Sequence, residues 1–387
     1  MGLVYLDNNA TTRTDVAVIE AMLPYFREVF GNPSSTHALG ADVGGAVRQA
    51  RRQVQALLGA AHDHEVVFTS GGTESDNAAL LSALETQAGR DEIVTTTVEH
   101  PAILQCVEHL QQSRGIRVHR IGVDAGGRLD MGAFRAALGP RTAVASAMWA
   151  NNETGTIFPV EELAALAHAA GALFHTDAVQ AAGRLPMALK GTEIDMLSLS
   201  GHKLHGPKGI GALYVRKGVP FRPLLRGGRQ ERGRRGGTEN VPAIIGLGKA
   251  AELAAQHLPA ERTRVAALRD RLEQGILRLG GSRVNGDTAR RLPNTSNLAF
   301  DHIDSEALLL RLGRAGIAAS SGAACASGST EPSHVLRAMD LPEVALHGAL
   351  RLSLSRETTP EDIDRTLAAM AEILPTLRAQ ALQALAG

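Results

Sequence analysis

Short apolar runs rich in β-branched residues alternate with helical patterns from about residue 45 to 250. The segments EVVFTS (65–70), EIVTTTV (92–98), RVHRI (117–121), TAVASAMWA (142–150), ALFHTDA (172–178), MLSLSG (196–201) and IGALYVR (210–216) read as strands. Helical stretches such as SDNAALLSALETQ and VEELAALAHAAG lie between several of them, the second stopping on Gly171. Apolar strands alternating with helices predict an α/β fold around a large, mostly parallel sheet. Beyond residue 250 the pattern changes. RVAALRDRLEQGILRLG puts Val265, Leu268, Leu272, Ile276 and Leu279 on one helical stripe. TSNLAF and ALRLSLS then alternate with period two, as in a half-exposed sheet with Arg351, Ser353 and Ser355 on its polar face. A final helix opens at TTPEDIDR, with Thr359 as N-cap, Pro360 at the first helical position and acidic residues in the first turn. These changes predict a large α/β domain over 14–253 and a smaller α+β domain made of 1–13 plus 254–387.

A chain of 387 residues exceeds one ordinary core. Its formal net charge of zero argues against general binding to nucleic acid or to membrane surfaces, since both exploit positive excess. No basic-then-apolar leader opens the chain, and no apolar run approaches the ~18 residues of a membrane span. The sequence holds two cysteines and no CxxC, which fits a reducing compartment, and the cytoplasm is the expected location. The one biased tract, RGGRQERGRRGG (226–237), has no flanking aromatics to stack bases; it reads as an ordered, glycine-jointed loop rather than an RNA-binding tail.

Strands of a parallel sheet deliver their C-terminal ends to one edge, where ligands bind. Three such ends carry unusual residues. In FTSGGTESDN a strand ends, Gly71-Gly72-Thr73 turns and a helix starts, which makes an anion site or, with Thr73 and Asp76, a capping box. In FHTDAVQ, Asp177 closes an apolar strand, where a carboxylate must be paired or serve as a cap, with Gln180 a neutral donor on the same side. In SLSGHKLHGPKG, Lys203 follows a strand end. The chain uses arginine almost throughout, with lysine only at 190, 203, 208, 217 and 249, and arginine cannot form an imine. Lys190 and Lys217 read as surface residues and Lys208 as part of a Gly-Pro turn. An anion cradle, a carboxylate and a lysine together suit pyridoxal phosphate (PLP), which needs a phosphate cup, an imine-forming amine and an anion for its ring nitrogen. Cys325 lies in SSGAACASGS, a run of small residues without the bulk that surrounds a structural cysteine. Cys106, in AILQCVEHL, sits instead on an apolar helical pattern.

At these residues the chain resembles the cysteine desulfurases of the NifS/IscS type, nearest the NifS branch. The resemblance rests on YLDNNATT, GNPSS, TSGGTESDN, VEHPA, WANNETG, HTDAVQ, SGHKLHGPKG, RGGTEN and SSGAACASGSTEPSHV, in family order from Tyr5 to beyond Arg351. It implies a fold-type I PLP-dependent transferase with the large and small domains described above. Lys203 would hold PLP as an imine and move protons. Asp177 would pair with the ring nitrogen and Gln180 with the ring hydroxyl, while His100 would stack on the ring in a chain with few aromatics. The plain alternative for His100 is a helix-start residue before Pro101. Gly72, Thr73, Ser200 and His202 would hold the phosphate, and Thr238 would reach the phosphate of the neighbouring subunit of a homodimer. Arg351, helped by Asn152, would hold the substrate carboxylate; its alternative is a surface arginine. Cys325, on a glycine-rich loop suited to travel, would take sulfur from L-cysteine as a persulfide, leave L-alanine, and pass sulfur to a NifU/IscU-type scaffold for iron–sulfur clusters, in the NifS case those of nitrogen fixation. Ala323 and Ala326 stand where hydroxyl residues are common beside the cysteine. No metal-ligand spacing is present; a transient cluster held by Cys325 with a partner is the one metal role the resemblance admits. Three other readings stay open: a selenocysteine lyase or another fold-type I PLP enzyme such as an aminotransferase, a non-catalytic sulfur or cluster carrier, and, more weakly, RNA binding through 226–235.

Overall fold

The computed structural model describes residues 2–322 and 332–386. Its strands are β1 Val4–Tyr5, β2 Val66–Thr69, β3 Glu92–Thr96, β4 Arg117–Ile121, β5 Thr142–Ser146, β6 Leu173–Asp177, β7 Met196–Ser200, β8 Gly211–Val215, β9 Ser282–Asn285, β10 Thr295–Phe300, β11 Ile317–Ala318 and β12 Ala349–Ser353. Among the described residues seven of them form one sheet in the order β2-β8-β7-β6-β5-β3-β4. β8 runs antiparallel to both its neighbours and the remaining pairs are parallel, so the expected mostly parallel sheet is what forms.

Burial explains the run-like strand sequences. β2, β3, β5, β6, β7 and β8 are buried along their whole length, since helices cover both faces. One face packs on helix Ala38–Leu58 and the long helix Val241–Ala260. The other packs on Gly72–Thr86 and Pro101–Arg114, whose Cys106 is a core residue at 7% exposure. Gly171 ends helix Val160–Ala169 with φ +73°, the left-handed conformation glycine tolerates. From β3 the chain moves outward to β4 and then returns to β5 on β3's other side, which opens a crevice between β3 and β5 at their C-terminal ends.

A second apolar cluster combines Val4 and Leu6 with residues from Val265 to Leu377, around the antiparallel sheet β12-β10-β9. Val265, Leu268, Leu272 and Ile276 all lie in it, as the helical stripe predicts. Thr359 caps helix Pro360–Ala386 reciprocally: its hydroxyl accepts from Asp362 N at 3.2 Å and its N–H donates to Asp362 Oδ2 at 3.0 Å.

The period-two reading of this small sheet needs a correction. β10 and β12 are buried on both faces, and Arg351 is 1% exposed. The polar face of β12 points not at water but at the larger part of the molecule. Alternation of polar and apolar residues marks two unlike faces, and here the polar one faces buried hydrogen-bonding groups.

The arginine-glycine tract is an ordered loop. Its Glu231, in a left-handed conformation at φ +48°, reaches Arg51 through two bonds of 2.7 Å each. Arg51 also donates to Val66 O and lies 4.5 Å from the Phe68 ring centroid, while Phe68 N donates to Glu231. This bidentate pair is desolvated, so removing one partner strands the other. Glu231→Ala is expected to cost about 3–5 kcal/mol of stability, and Arg51→Met with Glu231→Met together clearly less. Denaturant unfolding of the three proteins checks this.

Candidate active site

The crevice at the strand ends leads into a cavity of about 310 Å³, within the ~300–1,000 Å³ range of small-molecule sites. Gly72, Thr73, His100, Asn152, Asp177, Gln180, Ser200, His202, Lys203 and Arg351 all line it. Of the residues expected at the site, Thr238 is exposed on the surface and does not line this cavity. Cys325 lies outside the described residues.

At one end stands helix Gly72–Thr86. Its N-cap is Gly71, and no side chain caps it. The capping-box reading of Thr73 and Asp76 therefore fails: Glu74 bonds back to Ser70 N, and Asp76 turns inward, 1% exposed. An uncapped helix start presents N–H groups and the positive end of the dipole to an anion. Gly72 allows this packing, since a Cβ there would come 2.9 Å from Val179 Cγ2. Behind it β8 presses close: a Cβ on Gly211 would lie 2.6 Å from Leu199 O and 2.7 Å from Gly71 Cα. Ser200 and His202 complete this end, with His202 Nδ1 3.1 Å from Thr11 Oγ1. Burial, with Lys203 and Lys208 nearby, pushes His202 down to about 4, so it is a neutral hydrogen-bonding group at pH 7.

Asp177 forms the floor at the end of β6. Its Oδ1 accepts from Val179 N at 2.9 Å. Side chains two apart share a strand face, so His175 lies on the same side as Asp177, in a polar row with Ser146 and Ser198. His175 touches both serines at 2.9 and 3.0 Å, and burial holds it down at about 3, hence neutral. Asp76 packs across this row with Oδ1 3.6 Å from His175 Nε2. Two buried carboxyls thus share one cavity wall. Burial raises both, Asp76 well above the carboxylate range and further because of Asp177; His100 and Lys203 pull Asp177 back down. Asp177 is therefore the member with positive groups near it to favour its charge.

Lys203 follows β7. Its Nζ donates to the carbonyls of Asn9 and Ala10, each at 2.6 Å. Lys190 and Lys217 are exposed, as expected, and so is Lys208. His100 combines both of its readings. It is the N-cap of Pro101–Arg114, Nδ1 accepting from Ala102 N at 3.1 Å, and it lines the cavity. Burial lowers its pKa, so the ring is neutral with its hydrogen on Nε2. Gln180 Nε2 donates to Asn9 O, while its Oε1 accepts from Arg184 at 2.6 Å. Arg351 donates to Asp7 and to Asn152 O, and its buried Nε has no hydrogen-bond partner among the described residues.

Sequence reasoning missed Asp7, Asn9, Ala10 and Asp76. Asn9 and Ala10 act through backbone carbonyls, which leave no side-chain signal. Asp7 and Asp76 were visible as charges in otherwise familiar motifs, and each meets its partner only in the folded chain.

These groups fit the phosphorylated pyridine aldehyde that the resemblance implies. The uncapped helix start suits its phosphate, Asp177 its ring nitrogen and Lys203 its aldehyde, while the unpartnered Arg351 Nε suits a substrate carboxylate. Among the described residues no group of three or more His, Cys, Asp or Glu could hold a metal ion.

The family described as Aminotransferase class-V matches residues 4–366. A cysteine desulfurase of Gluconacetobacter diazotrophicus is 69% identical over 379 residues, 98% of this chain and 95% of that protein. The cysteine desulfurase NifS of Azotobacter vinelandii is 59% identical over 379 residues, 98% of this chain and 94% of that one. A solved NifS-like protein superimposes with a TM-score of 0.91 at 39% identity, over 97% of this chain and all of the other. A structure described as SspA in complex with cysteine gives 0.81 at 34%, over 91% of this chain and 98% of the other.

Glu99, beside the cavity, provides a pH test. It is fully buried, and burial pushes its carboxyl up to about 8 although Thr96 Oγ1 and Met148 N donate to it. The folded chain keeps this proton where the unfolded chain has lost it, so stability is expected to fall as pH rises from about 4.5 to about 8. Glu99→Gln is expected to remove this loss. Thermal melts should show the variant gaining on the parent protein more at pH 8 than at pH 5.

Proposed function

This chain belongs to the aminotransferase class-V family, and on that premise we propose that it is a cysteine desulfurase. Its cofactor is pyridoxal 5′-phosphate. The substrate is L-cysteine; the products are L-alanine and a persulfide on Cys325. The observation that carries this reading is the meeting of Lys203, Asp177, an uncapped helix start and Arg351 in one cavity of a chain 69% identical to a cysteine desulfurase.

When bound, pyridoxal phosphate supplies an aldehyde for the substrate amine and a ring that withdraws electrons from Cα. The protein does the rest. Gly72, Thr73, Ser200 and His202 hold the phosphate. Asp177 would hold the proton on the ring nitrogen, while Asp76 beside it is held well above the carboxylate range. Gln180 would donate to the ring hydroxyl, and His100 would stack on the ring and keep an Nε2–H for proton traffic. Lys203 would hold the aldehyde carbon, and its amine is the group that would move the Cα proton. Arg351 and Asn152 hold the substrate carboxylate. The Cys325 thiolate then attacks the substrate sulfur: an S–S bond forms as the C–S bond breaks, and a proton to Cβ completes alanine.

The finer assignments follow from the same reading. The protein works as a homodimer in which Thr238 of one subunit reaches the phosphate site of the other, which agrees with its exposure away from its own cavity. A large domain of 14–253 carries the cofactor, and a smaller one, 1–13 plus 254–387, carries Arg351 and Cys325. The persulfide goes to a scaffold protein of the NifU/IscU type for iron–sulfur clusters, and the resemblance to NifS points to nitrogenase as their destination. The protein acts in the cytoplasm; among the described residues no helix is long and apolar enough to cross a membrane.

Purified protein is expected to be yellow from bound cofactor and to release alanine from cysteine with no keto acid present. Cys325→Ser should keep the visible absorbance and lose persulfide formation; undiminished sulfur release would overturn the role of Cys325. Lys203→Ala should lose the native absorption band, and an unchanged spectrum would overturn that of Lys203. Alanine appearing only when a keto acid is added would point to an aminotransferase instead.

A further inference from the structure

The motif YLDNNATT contains a charge to which the reading above gives no task, Asp7. Its Oδ1 accepts from Arg351 Nη2 at 2.7 Å. The two residues are 344 apart in sequence and meet because Asp7 bridges to Ser353 at the end of β12, the strand that carries Arg351. The Arg351 side chain is 2% exposed and that of Asp7 20%. Arg351 Nη1 donates to Asn152 O at 3.1 Å, and Nε has no hydrogen-bond partner among the described residues. A carboxylate that saturates an arginine takes two parallel N–H bonds. Asp7 takes one, so it neutralises the guanidinium without filling its fork.

We propose that Asp7 is a specificity-setting counter-charge: its carboxylate holds Arg351 while the site is empty, and an incoming substrate carboxylate has to share or displace it. The inference rests on the cysteine desulfurase reading, in which Arg351 is the carboxylate site. The physical reason is twofold. A guanidinium this deeply buried needs an anion beside it at all times, since a lone buried charge costs several kcal/mol. The same anion repels a second carboxylate, because like charges at contact distance oppose each other strongly where water is scarce. A ligand with a carboxylate alone has nothing to offset that repulsion. An amino acid has a second anchor, its amine, at the aldehyde end of the cavity. Asp7 thereby selects amino acids over simple carboxylates at the cost of some affinity for both.

The test uses the holoenzyme and its Asp7→Asn variant. Asparagine keeps an oxygen acceptor for Arg351 Nη2 and removes the charge, but adds an amide donor; Asp7→Ser, a shorter neutral variant without that amide, controls for it, and circular dichroism confirms folding. Isothermal calorimetry with propionate, a carboxylate without an amine, reads the site independently of turnover. Both variants are expected to bind propionate about threefold to tenfold more tightly than the parent at low salt, with the KM for L-cysteine lowered as well but by a smaller factor. Unchanged or weaker propionate binding, together with a raised KM, would show that Asp7 merely positions Arg351 and would overturn the proposal. Failure of the underlying reading looks different: the parent holoenzyme would form no alanine from cysteine, whatever the ratio of propionate affinities.

Discussion

A carboxylate buried at the end of a central strand is tolerable only if positive charge comes to it, and Asp177 imposes that demand on everything around it. Burial alone would protonate it. Lys203 from the next strand and His100 from the crevice side pull it back toward the anion, and Val179 N donates to it. The neighbouring carboxyl, Asp76, has only a hydrogen bond with Ser198 to set against burial and the charges of Asp177 and Glu99, and it is raised well above the carboxylate range. Burial also keeps His175 and His202 neutral. What results is a wall of neutral donors and acceptors around one anion and one amine, an arrangement matched to a cationic ring with an anionic tail.

The second constraint is that the small sheet must be held against the large one with its polar face inward. The segment from Tyr5 to Thr12 does most of this. Asn9 bonds to Asn152 O, Thr295 and Asn294, while its own carbonyl receives both Lys203 and Gln180. Thr12 bonds to His202 O, and Asn8 to Ser353 O. Buried polar networks of this kind are stable only when nearly every member is satisfied, so they fix one relative placement of Lys203 and Arg351. The reach from lysine to arginine, which decides what length of substrate can touch both, is set by a stretch of chain that contributes few side chains to the cavity itself.

Much of this was legible in the sequence because it is local. Strand ends, the Gly-rich turn before a helix, and a lysine in an arginine-rich chain are each features of a dozen residues or fewer. β4 and β10 match their predicted spans, β2, β3, β5, β6, β7, β8 and β12 are shorter than predicted by one to four residues, and β1, β9 and β11 had no predicted counterpart. What was not legible is long-range or carried by backbone. Period-two alternation in 349–355 correctly separates two faces but cannot say whether the polar one meets water or Asp7 and Asn152. The spacing of Thr73 and Asp76 satisfies a capping box on paper; in the fold, a cap there would occupy the helix start that faces the cavity.

Burial sets the chemistry of Cys106. Cys106 is packed in the apolar layer under the sheet, with the thiol pushed up to about 11 first by desolvation and then by Asp76. At neutral pH its thiolate fraction is on the order of one in ten thousand, and only the thiolate attacks sulfur. It also lies on helix Pro101–Arg114 with 7% of its surface exposed, so no acceptor protein could reach a persulfide formed there. The chain holds no third thiol. On the proposed reading sulfur transfer falls to Cys325, and the scarcity of cysteine serves that chemistry: a neighbouring thiol would attack the persulfide, close a disulfide and release the sulfur as sulfide.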